Sequence, residues 1–228
     1  MDTLILLRGI RFVDSFFPAG GFAYSSGLEA AVQGGAVKDS QNLALYVEDF
    51  FQAGMGRREA VAVARAHRAL AGSHQPSALE ADLELDAMMT GRESRLASRQ
   101  MGRQVFKGAL VEEGASPIIR EYLREVETGY APGHLAVAFG LALGEAGWTR
   151  EQAVTAFLYQ QAVGFVSASL KLLPIGQREG QRLLASWFPL IGRLSRNAAA
   201  DAAMTAWTPV QDIYAMRHSR LASRLFRS

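Results

Sequence analysis

The sequence predicts an all-α fold: one domain over residues 1–228, a bundle of about nine or ten helices, and a C-terminal tail over residues 207–228. Three observations carry that expectation. Apolar residues recur at helical three- and four-residue spacing in nearly every segment after residue 25. Capping pairs and Gly/Pro breaks punctuate those segments at helix-like intervals. No stretch shows the sustained β-branched alternation of a strand, and there is no fixed-period repeat, long linker or low-complexity tract.

Taken in order, Ser26 with Glu29 three residues later forms a capping box, and Gly34-Gly35 stops the short helix it opens. Asp39 or Ser40 starts the next helix, with Leu43, Val47, Phe50 and Phe51 on one face. An alanine-rich helix runs from about Arg57 to Ala71 and is broken by Gly72-Ser73-His74-Gln75-Pro76. Ser77 and Glu80 then offer a second capping box. Glu93 to Glu113 reads as a partly exposed helix around Leu96, Val105, Phe106 and Leu110. Ser116 is an N-cap before Pro117 at the first helical position. The helix after Ala131-Pro132 carries Gly140 and Gly144 four apart, a spacing that lets helices pack tightly. Thr149 and Gln152 form a third capping box, opening a long apolar helix that Pro174 ends. Gly176 to Phe188 and Pro189 to about Ala206 are the last core helices.

At 228 residues and 49% hydrophobic content, the chain can bury a sizeable core and is not generally disordered. Its 24 basic and 22 acidic residues nearly balance. All the cations but Lys38, Lys107 and Lys171 are arginines, the side chain suited to bidentate carboxylate pairing. The pI near 9.1 rests on a net charge of only +2, too small by itself to indicate nucleic acid. With no cysteine, disulfides, zinc ribbons, iron–sulfur clusters and thiol catalysis are excluded, and the expected location is the cytoplasm. Met1 to Leu7 is apolar but is soon broken by Arg8 and Arg11, without a cleavage pattern. The longest apolar stretch, Ala153 to Leu173, contains Gln160, Gln161 and Lys171. A membrane span needs about 20 predominantly apolar residues, so this stretch reads as a buried central helix.

Two motif-dense ends frame this helical middle. The first runs from Asp14 to Glu29. Its Gly20-Gly21 pair lacks the GK[ST] ending of a phosphate-binding loop. The pair reads as a tight turn stiffened by Pro18, with Phe16, Phe17, Phe22 and Leu28 as core anchors. Asp14, Ser15, Tyr24, Ser25 and Glu29 read as capping and turn-stabilising groups. The rival reading makes them the polar cluster of a helical enzyme. A hydrolytic triad needs a histidine held by a carboxylate, and His67, His74, His134 and His218 all lie outside the segment. His74 and His134 sit beside proline-containing breaks, where solvent-exposed histidines are common. No metal-ligand spacing occurs, and no catalytic residue, cofactor or metal ligand is assigned.

Lys171 snorkels outward, pairs with an acid, complements its helix C-terminus, or presents a cation to a partner together with Pro174, Gly176 and Gln177. The final segment holds Arg217, Arg220, Arg224 and Arg227 with no acid after Asp212. Arginine and aromatic side chains are enriched in binding hot spots. Leu221 and Leu225, at i, i+4 spacing, suit a short amphipathic helix docking in a partner's groove. Order in this tail before binding is left open. A nucleic-acid regulator using these arginines is a further alternative, without any accompanying helix-turn-helix.

In combination, these segments resemble the UreF family of urease accessory proteins. Asp14 to Glu29 fits the pattern D-S-x-F-P-x-G-x-F-x-x-S-x-G-L-E, with Tyr24 where many relatives carry histidine. Arg95 to Gly102 is similar to the family's arginine/methionine stretch, and Lys171 to Gln177 to its lysine-proline-glycine-glutamine turn. Met216 to Ser228 is similar to M-R-H followed by R-L-F-R-S, with Ser219 where relatives often carry glutamate. The resemblance implies an all-helical, non-catalytic urease maturation factor. Its implied partners are UreD (UreH in some organisms), the GTPase UreG and apo-urease awaiting nickel, with a homodimer in the assembled complex and neither nucleic acid nor membrane. It implies partner-binding roles for Pro18, Gly20, Tyr24, Ser25, Glu29, Lys171, Gln177, Met216, Arg217, His218, Arg224, Leu225, Phe226 and Arg227. The tail would face UreD/UreH; the Asp14–Glu29 region and the Lys171 turn would face UreG or the dimer interface.

Overall fold

The computed structural model describes residues 2–70, 75–111, 116–200 and 202–227, with the side chains of all of these except residues 75–77. Local caps place many of the helices. The first, α1 (Thr3–Val13), starts on Asp2, whose carboxylate accepts from Leu4 N at 2.7 Å. After a 3₁₀ turn (Gly21–Ala23) and the short α2 (Leu28–Gln33), α3 (Ser40–Phe50) starts on Asp39, whose Oδ1 takes the Asn42 amide. A π-helical turn (Phe51–Met55) leads to α4 (Glu59–Ala69), α5 (Gln75–Met88) and α6 (Arg92–Ala109). Next, α7 (Pro117–Thr128) has the expected Ser116 N-cap with Pro117 in its first turn. Beyond α8 (Leu135–Glu145), α9 (Arg150–Leu172) carries the expected capping box: Gln152 N donates to Thr149 Oγ1, and Thr149 N to Gln152 Oε1. The chain ends with α10 (Gln177–Ser186), α11 (Phe188–Ala199) and α12 (Pro209–His218). No strand occurs among the described residues.

The core is built around α8, whose residues from Leu135 to Leu143 are all buried. A helix apolar on every side is stable only when covered on every side. Here α4, α6 and α9 supply that cover. Gly140 sets the α4–α8 distance, since a Cβ there would run into the Val63 carbonyl and Ala66. Gly102 of α6 does the same against the Gly133–Leu135 backbone. Edge-on packing of Phe139 and Phe157, centroids 5.8 Å apart, joins α8 to α9. Length and composition would let α9 cross a membrane, but Ala153, Val154, Phe157, Leu158, Ala162 and Phe165 are buried in this core.

Several boundaries differ from the sequence expectation. The periodicity did not predict α1, because Leu4, Leu6, Leu7 and Ile10 leave its apolar side chains largely on the surface. With it, the described residues hold twelve α-helices, more than the nine or ten expected. Gln75 already lies inside α5, so Ser77 is not its N-cap, and the side chain of Ser77 lies outside the described residues. His74 and the rest of the 71–74 break also lie outside them, as do residues 112–115 beyond α6. Leu96 is half exposed on α6. Finally, α11 stops at Ala199 and not near Ala206. Residues 202–208 instead run alongside the π-helical turn, with Thr205 N donating to Arg57 O at 3.2 Å and Trp207 N to Ala53 O at 2.9 Å.

Candidate partner-docking site

The two motif-bearing ends come together. After α1, Asp14 Oδ1 accepts from Phe16 N at 2.7 Å, the turn-stabilising role expected of it. Pro18 is exposed, and Gly20 follows in the left-handed region at φ 81°. Tyr24 reaches across to α6, its hydroxyl 3.1 Å from Gln100 Oε1. Ser25 is buried, and its Oγ lies 3.4 Å from the Glu29 amide that donates to it. Phe17 is half-buried and Leu28 fully buried, but Phe16 and Phe22 are 93% and 75% exposed and do not anchor the turn.

The Ser26–Glu29 capping box does not form. Gly27 is the N-cap of α2, without a side-chain cap, and Ser26 sits at φ 52°. Glu29 turns inward instead and takes the C-terminal tail. Its carboxylate accepts from Leu225 N at 2.7 Å and Phe226 N at 3.1 Å, and meets His218 Nε2 at 2.9 Å. The other ring nitrogen of His218 faces Glu93 Oε2 at 3.2 Å, and Arg224 Nη1 reaches Glu93 Oε1 at 3.3 Å. Both ring nitrogens of His218 thus face carboxylate oxygens, one from α2 and one from α6. Burial pushes the Glu29 carboxyl upward, but the Leu225 amide, His218 and the Phe226 amide outweigh it and leave its pKa below the ordinary value.

The tail is therefore seated on its own body. Helix ends at His218, so the amphipathic helix expected through Leu221 and Leu225 does not form. Arg227 N donates to Ala23 O at 2.8 Å, and Gln33 Nε2 to Ser223 O at 3.1 Å. Phe226 is buried, with Lys171 Nζ 5.3 Å from its ring centroid. Lys171 thus brings the third motif to the same place, in a cation–π contact that the sequence alternatives did not include. Leu225, Met216, Arg217, Arg224 and Arg227 face outward, as does Gln177 at the start of α10.

A second polar cluster was not legible in the sequence. His134, expected at the surface, is fully buried where α5, α6 and α8 meet. Asp82 accepts from Gly133 N at 2.7 Å, His134 N at 3.0 Å and Tyr122 Oη at 2.8 Å. Burial raises the Asp82 pKa, and burial with the nearby Asp82 charge raises that of Tyr122. His134 Nδ1 lies 3.0 Å from Ser98 Oγ, and Nε2 lies 2.9 Å from Asp86 Oδ1. The Asp86 carboxylate only accepts, so the neutral ring carries its proton on Nε2 and donates it to Asp86, while Nδ1 accepts from the Ser98 hydroxyl, whose oxygen also takes Leu135 N at 3.3 Å. That neutral tautomer agrees with the lowered His134 pKa, for which burial is the largest cause, opposed mainly by Asp82 and Asp86.

Serine, histidine and aspartate are the residue types of an acyl-transfer triad, but here they tie three helices together. The cavity that Ser98 lines holds about 80 Å³, against roughly 300–1,000 Å³ for small-molecule pockets. A wider apolar groove of about 770 Å³, lined by Ile10, Trp148, Tyr159 and Phe188 among others, lies apart from both clusters. Among the described residues, no group of three or more His, Asp or Glu could hold a metal ion.

An all-helical body that spends its polar clusters on joining segments, and displays arginines beside apolar side chains, defines a protein of the accessory, partner-binding class. The UreF family model matches residues 37–187. The chain is 35% identical over 227 residues to the urease accessory protein UreF of Methylorubrum populi, covering 97% of this chain and 98% of that one. It is 32% identical to UreF of a Bacillus species, with 98% and 99% covered, and 37% identical to UreF of a Methylobacterium species, with 93% and 84% covered. The chain belongs to the UreF family: it is a non-catalytic urease accessory protein involved in urease maturation.

Proposed function

We propose that this protein supports nickel insertion into apo-urease in the cytoplasm by binding UreD/UreH and the GTPase UreG, as a homodimer in the assembled complex. The observation that carries this reading is the seating of the tail on the Asp14–Glu29 segment through Glu29. It turns two distant stretches into one surface on which Phe22, Leu225, Arg224 and Arg227 stand exposed. Apolar and arginine side chains in one patch match the composition of protein-binding hot spots.

Burial divides the proposed site residues by role. Ser25, Glu29, His218 and Phe226 are buried and hold the surface in shape. Met216, Arg217, Arg224, Leu225 and Arg227 are exposed and contact UreD/UreH. Pro18, Gly20 and Tyr24 shape the adjoining turn; Lys171 and Gln177 form the side offered to UreG or to a second copy.

The test is capture of UreD/UreH by the full chain and by a Leu225→Glu/Arg227→Glu variant, each checked for unchanged helix content. Loss of capture by the variant is expected. Equal capture by both rejects docking through the tail. Failure of the full chain to restore urease activation in cells lacking their own UreF rejects the biological role.

A further inference from the structure

The π-helical turn, α11 and residues 202–205 enclose a further cavity, of about 230 Å³ and open to solvent. Gly56 lets α11 lie directly against the turn, since a Cβ there would strike the Phe51 carbonyl and Leu194. Turns of this kind are frequent at functional sites. Here Gln52 of the turn holds both arginines that line the cavity. Its backbone carbonyl accepts from Arg57 Nε at 2.9 Å, and its side-chain Oε1 from Arg193 Nη2 at 3.4 Å. No carboxylate lines the cavity among the described residues, and neither arginine has an acidic partner among them. Arg58, Arg65, Arg99 and Arg224, by contrast, each meet a carboxylate. Asp201, next to Ala202 in the chain, lies outside the described residues.

Charge and size together select the ligand. Two guanidiniums drawn to one glutamine repel each other, and an anion between them removes that cost. Arg57 spends only its Nε on the protein, so both its Nη groups remain as donors. Asn197 and Thr205 add an amide and a hydroxyl to the same wall, over a floor that includes Val61 and Leu194. The space is smaller than the roughly 300–1,000 Å³ of organic-ligand pockets, so a nucleotide does not fit. Arginine forks match carboxylate and phosphate oxygens, and two of them balance two negative charges rather than one. The geometry points to a binding site for a small dianionic oxyanion, phosphate in size and charge, held by Arg57 and Arg193 and completed by Asn197 and Thr205. It shares no lining residue with the seated tail or Lys171, so it stands or falls apart from docking to UreD/UreH.

Titration of the full chain with inorganic phosphate, followed by calorimetry and by NMR shifts, tests this. Weakly alkaline buffer keeps phosphate dianionic, and acetate at matched ionic strength stands for a partner's carboxylate. Saturable one-to-one phosphate binding is expected, with shifts centred on Gln52, Arg57, Asn197 and Thr205, and sulfate should compete for the same site. Arg57→Gln and Arg193→Gln should each weaken binding by about tenfold or more. Both side chains are exposed, so thermal melts of these variants should match that of the unaltered chain. No saturation at millimolar phosphate, shifts centred elsewhere, or full affinity in both variants overturns the proposal. Acetate binding as tightly as phosphate overturns the dianion class. Phosphate binding that appears only in Asp201→Asn would make the chain's own carboxylate the occupant, and overturns it too. Should either arginine variant misfold, the shift map of the unaltered chain decides alone.

Discussion

Glu29 and His218 are 189 positions apart in the chain, yet their side chains meet at 2.9 Å with almost no exposure. Around them, the Leu225 and Phe226 amides complete the coordination of one carboxylate. Breaking a buried pair by removing one partner costs about 3–5 kcal/mol. Glu29→Ala is therefore expected to release the tail while the helical body persists. Hydrogen exchange should rise in residues 219–227, and trypsin should cut after Arg220 and Arg224 far faster than in the unaltered chain. Unchanged protection would show that the tail is held by something other than Glu29.

The same carboxylate gives a pH dependence of defined sign. Its folded pKa lies below the unfolded value, so the stability it contributes is complete above the ordinary Glu value of about 4.3. That contribution is lost as pH falls through the folded pKa. Tail protection, corrected for intrinsic exchange, should hold steady from neutrality down to about that value and drop below it. Glu29→Gln should abolish this acid step. A step that survives in the variant would assign it to another group.

Lys171 lies over Phe226, a relationship that separates holding the tail from contacting a partner. A double-mutant cycle of Lys171→Ala and Phe226→Ala, read as tail protection, should give a coupling of about 0.5–1 kcal/mol. A change in UreG GTP turnover with zero coupling would move Lys171 from tail support to direct contact.

Asp82 takes two backbone amides and a tyrosine hydroxyl at the α7–α8 junction. Asp82→Ala leaves those buried donors unmatched and should cost about 3 kcal/mol. At roughly 2–4 °C per kcal/mol for a chain of this size, Tm should fall by about 6–12 °C. A fall under about 2 °C would mean that solvent replaces the carboxylate without loss.

Two glycines on neighbouring helices should respond in opposite directions to alanine. At Gly140 a methyl group would strike the Val63 carbonyl, and overpacking of this kind costs about 1–3 kcal/mol. At Gly164, within α9, a Cβ meets nothing within 4 Å. Gly164→Ala should stabilise by up to about 1 kcal/mol through helix propensity. Thermal melts of the two variants check both signs.

The starts of α3, α7 and α9 were legible from residue order, because Asp39, Ser116 and Thr149 each find a capping partner within three positions. Such short rings close locally, so spacing along the chain spells them out. The all-helical class, the buried α9 and the tight Gly140 contact followed from periodicity in the same way. Ser26-x-x-Glu29 has the same spelling but a different outcome, since Glu29 is matched by amides 196 and 197 residues away. His134 looked like a surface residue beside a proline until Ser98 and Asp86 closed around it. A buried charge or ring must find every partner before water leaves, and those partners come from whichever segments fold beside it. Spacing in the chain therefore settled the helical class and the locally capped helix starts, while closure of the packed body settled which polar groups became clasps and which stayed exposed.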